Sequence, residues 1–225
     1  MKLLLWDIDG TLIMTGGAGM RAMDRAFKDL FNVEKALQGV NMAGRTDTSI
    51  IQDAMKKYGI HYSEPIFQQY KEQYYRYIAE EIQVDHPEKM IMNGIQELLE
   101  TLEKRQDIVL ALLTGNWEKS GRIKLAHFGL DRYFEFGAFA DDSGIRNDLL
   151  PFAIKRFQER YGYVPDKRHT YIIGDTPADI NCAKPYDVVS VAVAAAHYSR
   201  HELLVYEPDY LFDDFSDLQE VTKIF

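Results

Sequence analysis

The run Leu3-Leu4-Leu5-Trp6-Asp7-Ile8-Asp9-Gly10-Thr11-Leu12 constrains this chain more than any other stretch. An apolar segment without alternation reads as a strand buried on both faces, the kind found inside parallel sheets. Ligands of such sheets sit just beyond the carboxyl ends of the strands. Asp7 and Asp9 fall at that end, two apart, and so share one side of an extended chain while Ile8 turns the other way. Two carboxylates this close repel each other unless a cation stands between them, and a divalent ion with hard oxygen ligands is the natural companion. Taken alone, the pair also fits an Asx turn leading out of a strand.

Two further strand-like runs end in the same chemistry. Ile108 to Leu113 leads into Thr114-Gly115-Asn116, and Tyr171-Ile172-Ile173 leads into Gly174-Asp175-Thr176-Pro177-Ala178-Asp179. A hydroxyl beside free backbone N–H groups at a helix start makes a phosphate seat, and Thr114 is placed for it. Asp175 and Asp179 are spaced so that one can meet a metal while the other holds the turn or a ligand from behind.

With these motifs in this order, the chain resembles the haloacid dehalogenase superfamily hydrolases, and within them the phosphoglycolate-phosphatase-like branch with a helical cap. The likeness covers nearly the whole chain. It implies an α/β fold, a Rossmann-like doubly wound parallel sheet with an inserted α-helical cap. Asp7 would be the nucleophile that forms an aspartyl-phosphate. Asp9 would be the general acid and base, its backbone carbonyl helping to hold Mg²⁺. Asp175 would be a metal ligand with Asp7 and Asp9, and Asp179 a supporting carboxylate. Gly10, Thr114, Gly115 and Asn116 are the matching phosphate-contacting positions. Covalent catalysis by a carboxylate splits ester hydrolysis into two easier steps, and a metal with a fixed cation offsets the charge on the phosphoryl group.

The third motif departs from the family, which usually places a lysine where this chain reads Asp141-Asp142-Ser143-Gly144-Ile145-Arg146-Asn147-Asp148. Arg146 is in register and takes the charge-neutralising role, with the planar fork that lysine lacks. Lys155 is the alternative, about two turns into the next helix, whose inward positions are Leu150, Ala153, Phe157 and Tyr161. A solvated Lys155 is therefore expected.

Residues 16–87 read as the cap and residues 1–15 and 88–225 as the core. After a Gly16-Gly17-Ala18-Gly19 exit come three amphipathic helices. Their apolar positions are Met20, Met23, Phe27 and Leu30; then Ile50, Ile51, Ala54, Met55 and Tyr58; then Phe67, Tyr70, Tyr74, Tyr77 and Ile78. The aromatic stripe on the third reads as helix packing. From Met90 onward helices and strands alternate, with strands at 108–113, 134–139, 170–173, 188–192 and near 210–212, and helices at 147–161 and 177–184. A closing helix from Ser216 turns Leu218, Val221 and Ile224 or Phe225 inward.

Two hinge strands joining cap to core would let the cap close over the site and exclude water. Cap residues that reach the site would then set substrate choice. In the loop Asn41 to Asp47, Arg45 either grips an anionic substrate group or pairs with Asp47 or Glu34. His197, in the loop after the 188–192 strand, either touches substrate or packs the loop. The other five histidines show no metal spacing.

Composition narrows the partners. The net charge is -9, and residues 201–225 carry seven acidic side chains against Lys223 alone, so a nucleic-acid partner is not expected. No apolar run approaches the roughly 20 residues that span a bilayer, and the amino terminus lacks a signal-peptide pattern, so a cytoplasmic enzyme is expected. It would act on a small phosphorylated metabolite, as a monomer or weak homodimer. Cys182, the single cysteine, reads as packing. The expected activity is Mg²⁺-dependent hydrolysis of a phosphoglycolate-like or sugar phosphomonoester. Open alternatives are a phosphomutase using the same core motifs and a silent binding protein. Dehalogenation is disfavoured because Asp9 would be idle, and phosphonate hydrolysis because its cap lysine has no match.

Overall fold

In a computed structural model describing residues 1–225, strand β1 (Lys2–Trp6) lies between β4 (Ile108–Leu113) and β6 (Thr170–Gly174). Beyond β4 the sheet ends in β5 (Gly137–Ala138), and beyond β6 it continues through β7 (Val189–Val193) to β8 (Tyr210–Phe212). Every pairing in this six-stranded sheet is parallel. The architecture is the Rossmann-like α/β fold expected from the alternation.

Because successive side chains point to opposite faces, β1 feeds two separate cores. Leu4 and Trp6 join one cluster with helix α4 (Ile95–Leu102) and the chain end, where Trp6 meets Phe215 edge-on at 5.6 Å. Leu3 and Leu5 join the other with Leu149, Leu150, Ala153 and Phe157 of α6 (Leu149–Tyr161) and Cys182 of α7 (Pro177–Ala183). Cys182 is buried packing, as expected. Helix α5 (Glu118–His127) packs close enough to the sheet that a Cβ on Gly121 would stand 2.9 Å from Ile8 Cδ1.

A third hydrophobic cluster belongs to α1 (Ala18–Phe31), α2 (Asp47–Lys57) and α3 (Glu64–Glu81). They follow β2 (Ile13–Thr15) and lead into β3 (Lys89–Ile91), which pair antiparallel as a two-stranded sheet. The aromatic stripe of α3 wraps a core residue, Trp117. Phe67, Tyr70, Tyr74 and Tyr75 have their ring centroids 5.5–6.4 Å from it, and its Nε1–H donates to Thr48 Oγ1 at 2.8 Å.

Several expectations shift in detail. The 134–139 strand shrinks to Gly137–Ala138, because Asp131–Tyr133 forms a 3-10 turn and Arg156 donates to the Gly137 carbonyl at 2.7 Å along the sheet edge. Met20 and Tyr58, placed inward by periodicity, are exposed. The closing helix α9 is only Leu218–Val221, yet Val221 and Phe225 are buried as expected. No helix is long and apolar enough to cross a membrane.

Candidate active site

The three strand-end motifs meet at one edge of the sheet. Asp7 follows β1 directly and is buried. Arg146 Nη2 approaches Asp7 Oδ2 to 3.2 Å and Asp179 Oδ1 to 2.5 Å. Burial raises the Asp7 pKa to about 6, with Arg146 opposing the rise. The structure thus brings Arg146 beside Asp7. Lys155 lies in solvent, 3.8 Å from Glu159.

The second Asp of the motif after β6 is held from behind. Asp179 Oδ2 accepts from the Thr176 amide at 3.1 Å and its hydroxyl at 2.7 Å, a reciprocal cap on α7. Its other oxygen is on Arg146. Asp175 keeps Oδ1 on the Thr11 hydroxyl at 3.2 Å, while its buried Oδ2 has no hydrogen-bond partner. Burial first, and then Asp179 and Asp7, push its pKa well above the ordinary range. Gly10 is required here twice. Its φ is +85°, and a Cβ would lie 2.3 Å from Asp175 Oδ2.

These residues fit a divalent cation. Asp7, Asp175 and Asp179 offer carboxylate oxygens within 4.8 Å of one another, opposed by one guanidinium. The orphaned Asp175 oxygen is a buried acceptor that a divalent ion would satisfy.

Asp9 points elsewhere, into the cavity, with its side chain 39 % exposed. Its Oδ2 accepts from Lys124 Nζ at 2.7 Å and from Asn116 Nδ2 at 2.8 Å. Lys124 also donates to Asn116 Oδ1 at 2.6 Å, and Asn116 Nδ2 to Thr114 Oγ1 at 2.9 Å. Asn116 thus holds Asp9, and the buried Thr114 hydroxyl holds Asn116. The start of α5 is already committed, for the Trp117 amide donates to Asp47 Oδ2 at 3.0 Å and the Glu118 amide to Asp141 Oδ2 at 2.7 Å. Any phosphate seat narrows to the loop at Gly115 and Asn116, short of the helix itself.

Lys124 and Asp47 carry no motif signal, yet both are buried and line the cavity. Burial raises the Asp47 pKa to about 7, with Lys124 lowering it. The trace of Lys124 in the sequence is its place on the small-residue face of α5, with Ser120 and Gly121. The loop carrying Arg45 and Thr46 presses on the motif after β4. A Cβ on Gly115 would sit 2.0 Å from the Arg45 carbonyl oxygen, and the Asp47 amide donates to the Gly115 carbonyl at 2.6 Å. Arg45 lines the cavity, but its ion pair is with Asp53 at 2.6 Å rather than Asp47 or Glu34, because the loop before α2 lays its side chain back along that helix toward Asp53, eight residues on. His197 is exposed at the cavity wall, the placement that lets it touch a ligand.

The site lies in a cavity of about 410 Å³ between the sheet edge and α1–α3. Similar folds occur in a predicted phosphoglycolate phosphatase from Haemophilus somnus (22 % identity, 99 % of this chain and 98 % of that one, TM-score 0.70). A predicted phosphatase from Clostridium acetobutylicum matches at 17 % identity over 100 % and 99 % of the chains, TM-score 0.71. CbbY from Rhodobacter sphaeroides, in complex with phosphate, matches at 19 % over 97 % and 96 %, TM-score 0.71. At these identities the likeness is one of fold. No curated protein matches the sequence at a significant level. The family profile of haloacid dehalogenase-like hydrolases matches residues 4–193. Together with the ordered strand-end carboxylates, that match shows that this chain is a hydrolase belonging to the haloacid dehalogenase-like family.

Proposed function

We propose that the chain is a Mg²⁺-dependent phosphatase of small phosphomonoesters that works through an aspartyl-phosphate on Asp7. The observation that carries this is the placement of the Asp7 carboxylate between the Arg146 guanidinium and the partnerless Asp175 oxygen, facing a cavity. Asp7, Asp175 and the Asp9 carbonyl would hold the ion, which supplies charge neutralisation on the phosphoryl oxygens. An Asp7 oxygen attacks phosphorus and the ester oxygen leaves, taking a proton from the Asp9 carboxyl. Asp9 then removes a proton from water, which attacks the aspartyl-phosphate and releases phosphate and free Asp7. Arg146 holds Asp7 in line throughout, and Asp179 holds Arg146. The Gly115 amide and Thr114 hydroxyl take phosphate oxygens.

Residues 16–87 act as the cap and β2 with β3 as its hinge, closing over residues 1–15 and 88–225 so that water reaches the acyl phosphate only under control. A mutase would need a wall that receives a second sugar hydroxyl. The cavity lining includes four methionines, Val40 and Ile50, which give a sugar hydroxyl no hydrogen bond, and this supports water as the acceptor. The test is phosphate release from a panel of phosphomonoesters with and without Mg²⁺. Release that requires the ion supports the reading, and equal release in excess chelator refutes it.

A further inference from the structure

The cavity joins two kinds of lining. Asp7, Asp9 and Arg146 are among its polar residues. Most of its hydrophobic ones are Met14, Met20, Met23 and Met42, four of the chain's eight methionines, together with Val40 and Ile50. Methionine is flexible and polarisable and remoulds itself around apolar ligands of varied shape. The cavity volume of about 410 Å³ falls in the range of roughly 300–1,000 Å³ typical of pockets for organic molecules larger than a two-carbon acid.

Cations are present but engaged. Arg45 Nη2 is on Asp53 at 2.6 Å and its Nη1 on the Asn41 carbonyl at 3.4 Å. Lys124 is on Asp9 and Asn116, and Arg146 is on Asp7 and Asp179. A carboxylate on the leaving group would find each of these three cations already paired with a carboxylate, and the buried Asp47 is a further acid in the same wall. Of the buried side-chain atoms in the wall, the Tyr74 hydroxyl and Arg146 Nε have no hydrogen-bond partner, and the exposed His197 imidazole also lines the wall.

We propose that the alcohol this site releases is uncharged, with an alkyl or aryl body seated among the methionines. This rests on the phosphatase reading and names its substrate class. Carboxylate-bearing esters such as phosphoglycolate and polyhydroxylated ones such as glucose 6-phosphate are then poor substrates. A chamber of this kind discriminates by the apolar surface it takes from water.

The test compares hexyl phosphate with glucose 6-phosphate and phosphoglycolate, all three leaving as alkoxides of aliphatic alcohols, so that differences report the pocket rather than the leaving group. With Mg²⁺, hexyl phosphate should show a kcat/KM at least about tenfold above either. The double variant Met20→Gln/Met42→Gln should lower the ratio of hexyl to glucose ester by about tenfold. Calorimetry of the same three esters on the Asp7→Asn variant reads the preference without turnover. If no ester is hydrolysed but hexyl phosphate still binds tightest, the phosphatase reading fails and the chamber assignment stands. Equal or weaker binding and turnover of hexyl phosphate, or a double variant with an unchanged ratio, overturns the assignment.

Discussion

Arg146 Nη2 lies 3.2 Å from Asp7 Oδ2, both side chains buried, where the family usually has a lysine. The guanidinium serves two carboxylates at once because Asp179 accepts from the same nitrogen. A lysine ammonium restores the charge but not the planar group that holds Nη2 against both carboxylates.

Removing the guanidinium therefore carries two costs. Arg146→Ala leaves Asp7 and Asp179 buried and uncompensated, and losses from breaking buried pairs run to about 3–5 kcal/mol. Turnover should fall to near background. Arg146→Lys should recover part of the rate, and Lys155→Ala should behave as wild type. Steady-state kinetics with thermal melts of the three variants check this, and a crippled Lys155→Ala beside an active Arg146→Ala would contradict it.

Metal should stabilise the fold as well as activate it. An ion that binds only the folded chain adds about 2.7 kcal/mol at a hundredfold excess over its Kd. Wild type should melt higher in Mg²⁺ than in chelator, and Asp175→Asn should lose that increment. Acidification through the Asp7 pKa of about 6 should weaken the increment as the proton competes with the ion. A Mg²⁺ shift of undiminished size in Asp175→Asn would move the ion elsewhere.

The pH dependence of stability should carry the mark of Asp47. Its folded pKa, raised by burial to about 7, stands above the ordinary 3.8. The folded chain therefore binds a proton that the unfolded chain has released, and this contribution is full below about 4 and lost as pH rises to about 7. Asp47→Asn keeps an acceptor for the Trp117 amide but cannot ionise. Denaturant titrations at several pH values should show a decline of a few kcal/mol across that window in wild type, flattened in the variant. Parallel curves would place the buried charge elsewhere.

Gly115 has no room for a side chain because the Arg45 carbonyl occupies it. Gly115→Ala must push the 41–47 loop away from the motif after β4, and the cost falls on closure. KM should rise and proteolysis within 32–46 should quicken, with Mg²⁺ binding retained. Unaltered KM and proteolysis would mean that this contact does not govern closure.

What the sequence revealed follows from how local each signal is. The carboxylates, the Thr114 loop and the sheet are legible because strand ends are marked by abrupt changes from apolar runs to Asp, Gly and Thr. Arg146 is legible by its place in that order. Lys124 is not, since a lysine midway along a helix ordinarily faces solvent, and only its meeting with Asp9, 115 positions away, shows otherwise. Strands β2 and β3 are three residues each and too short for a period to emerge. The Arg45–Asp53 pair depends on how the loop before α2 is laid down, and the methionine chamber on how separate elements pack, which no single helix encodes.

The account turns on whether phosphate passes through Asp7. Asp9→Asn removes the acid and base while its backbone carbonyl persists, so hydrolysis of the acyl phosphate should slow by the 10²–10⁴-fold typical of such groups, about the range for proton transfer. Phenyl phosphate, whose leaving group needs little protonation, should still load the enzyme. Acid-quenched Asp9→Asn, incubated with phenyl phosphate and Mg²⁺, should carry one added HPO₃ on the peptide holding Asp7, as read by mass spectrometry. An unmodified Asp7, or a phosphoryl group found on another residue, would contradict the mechanism.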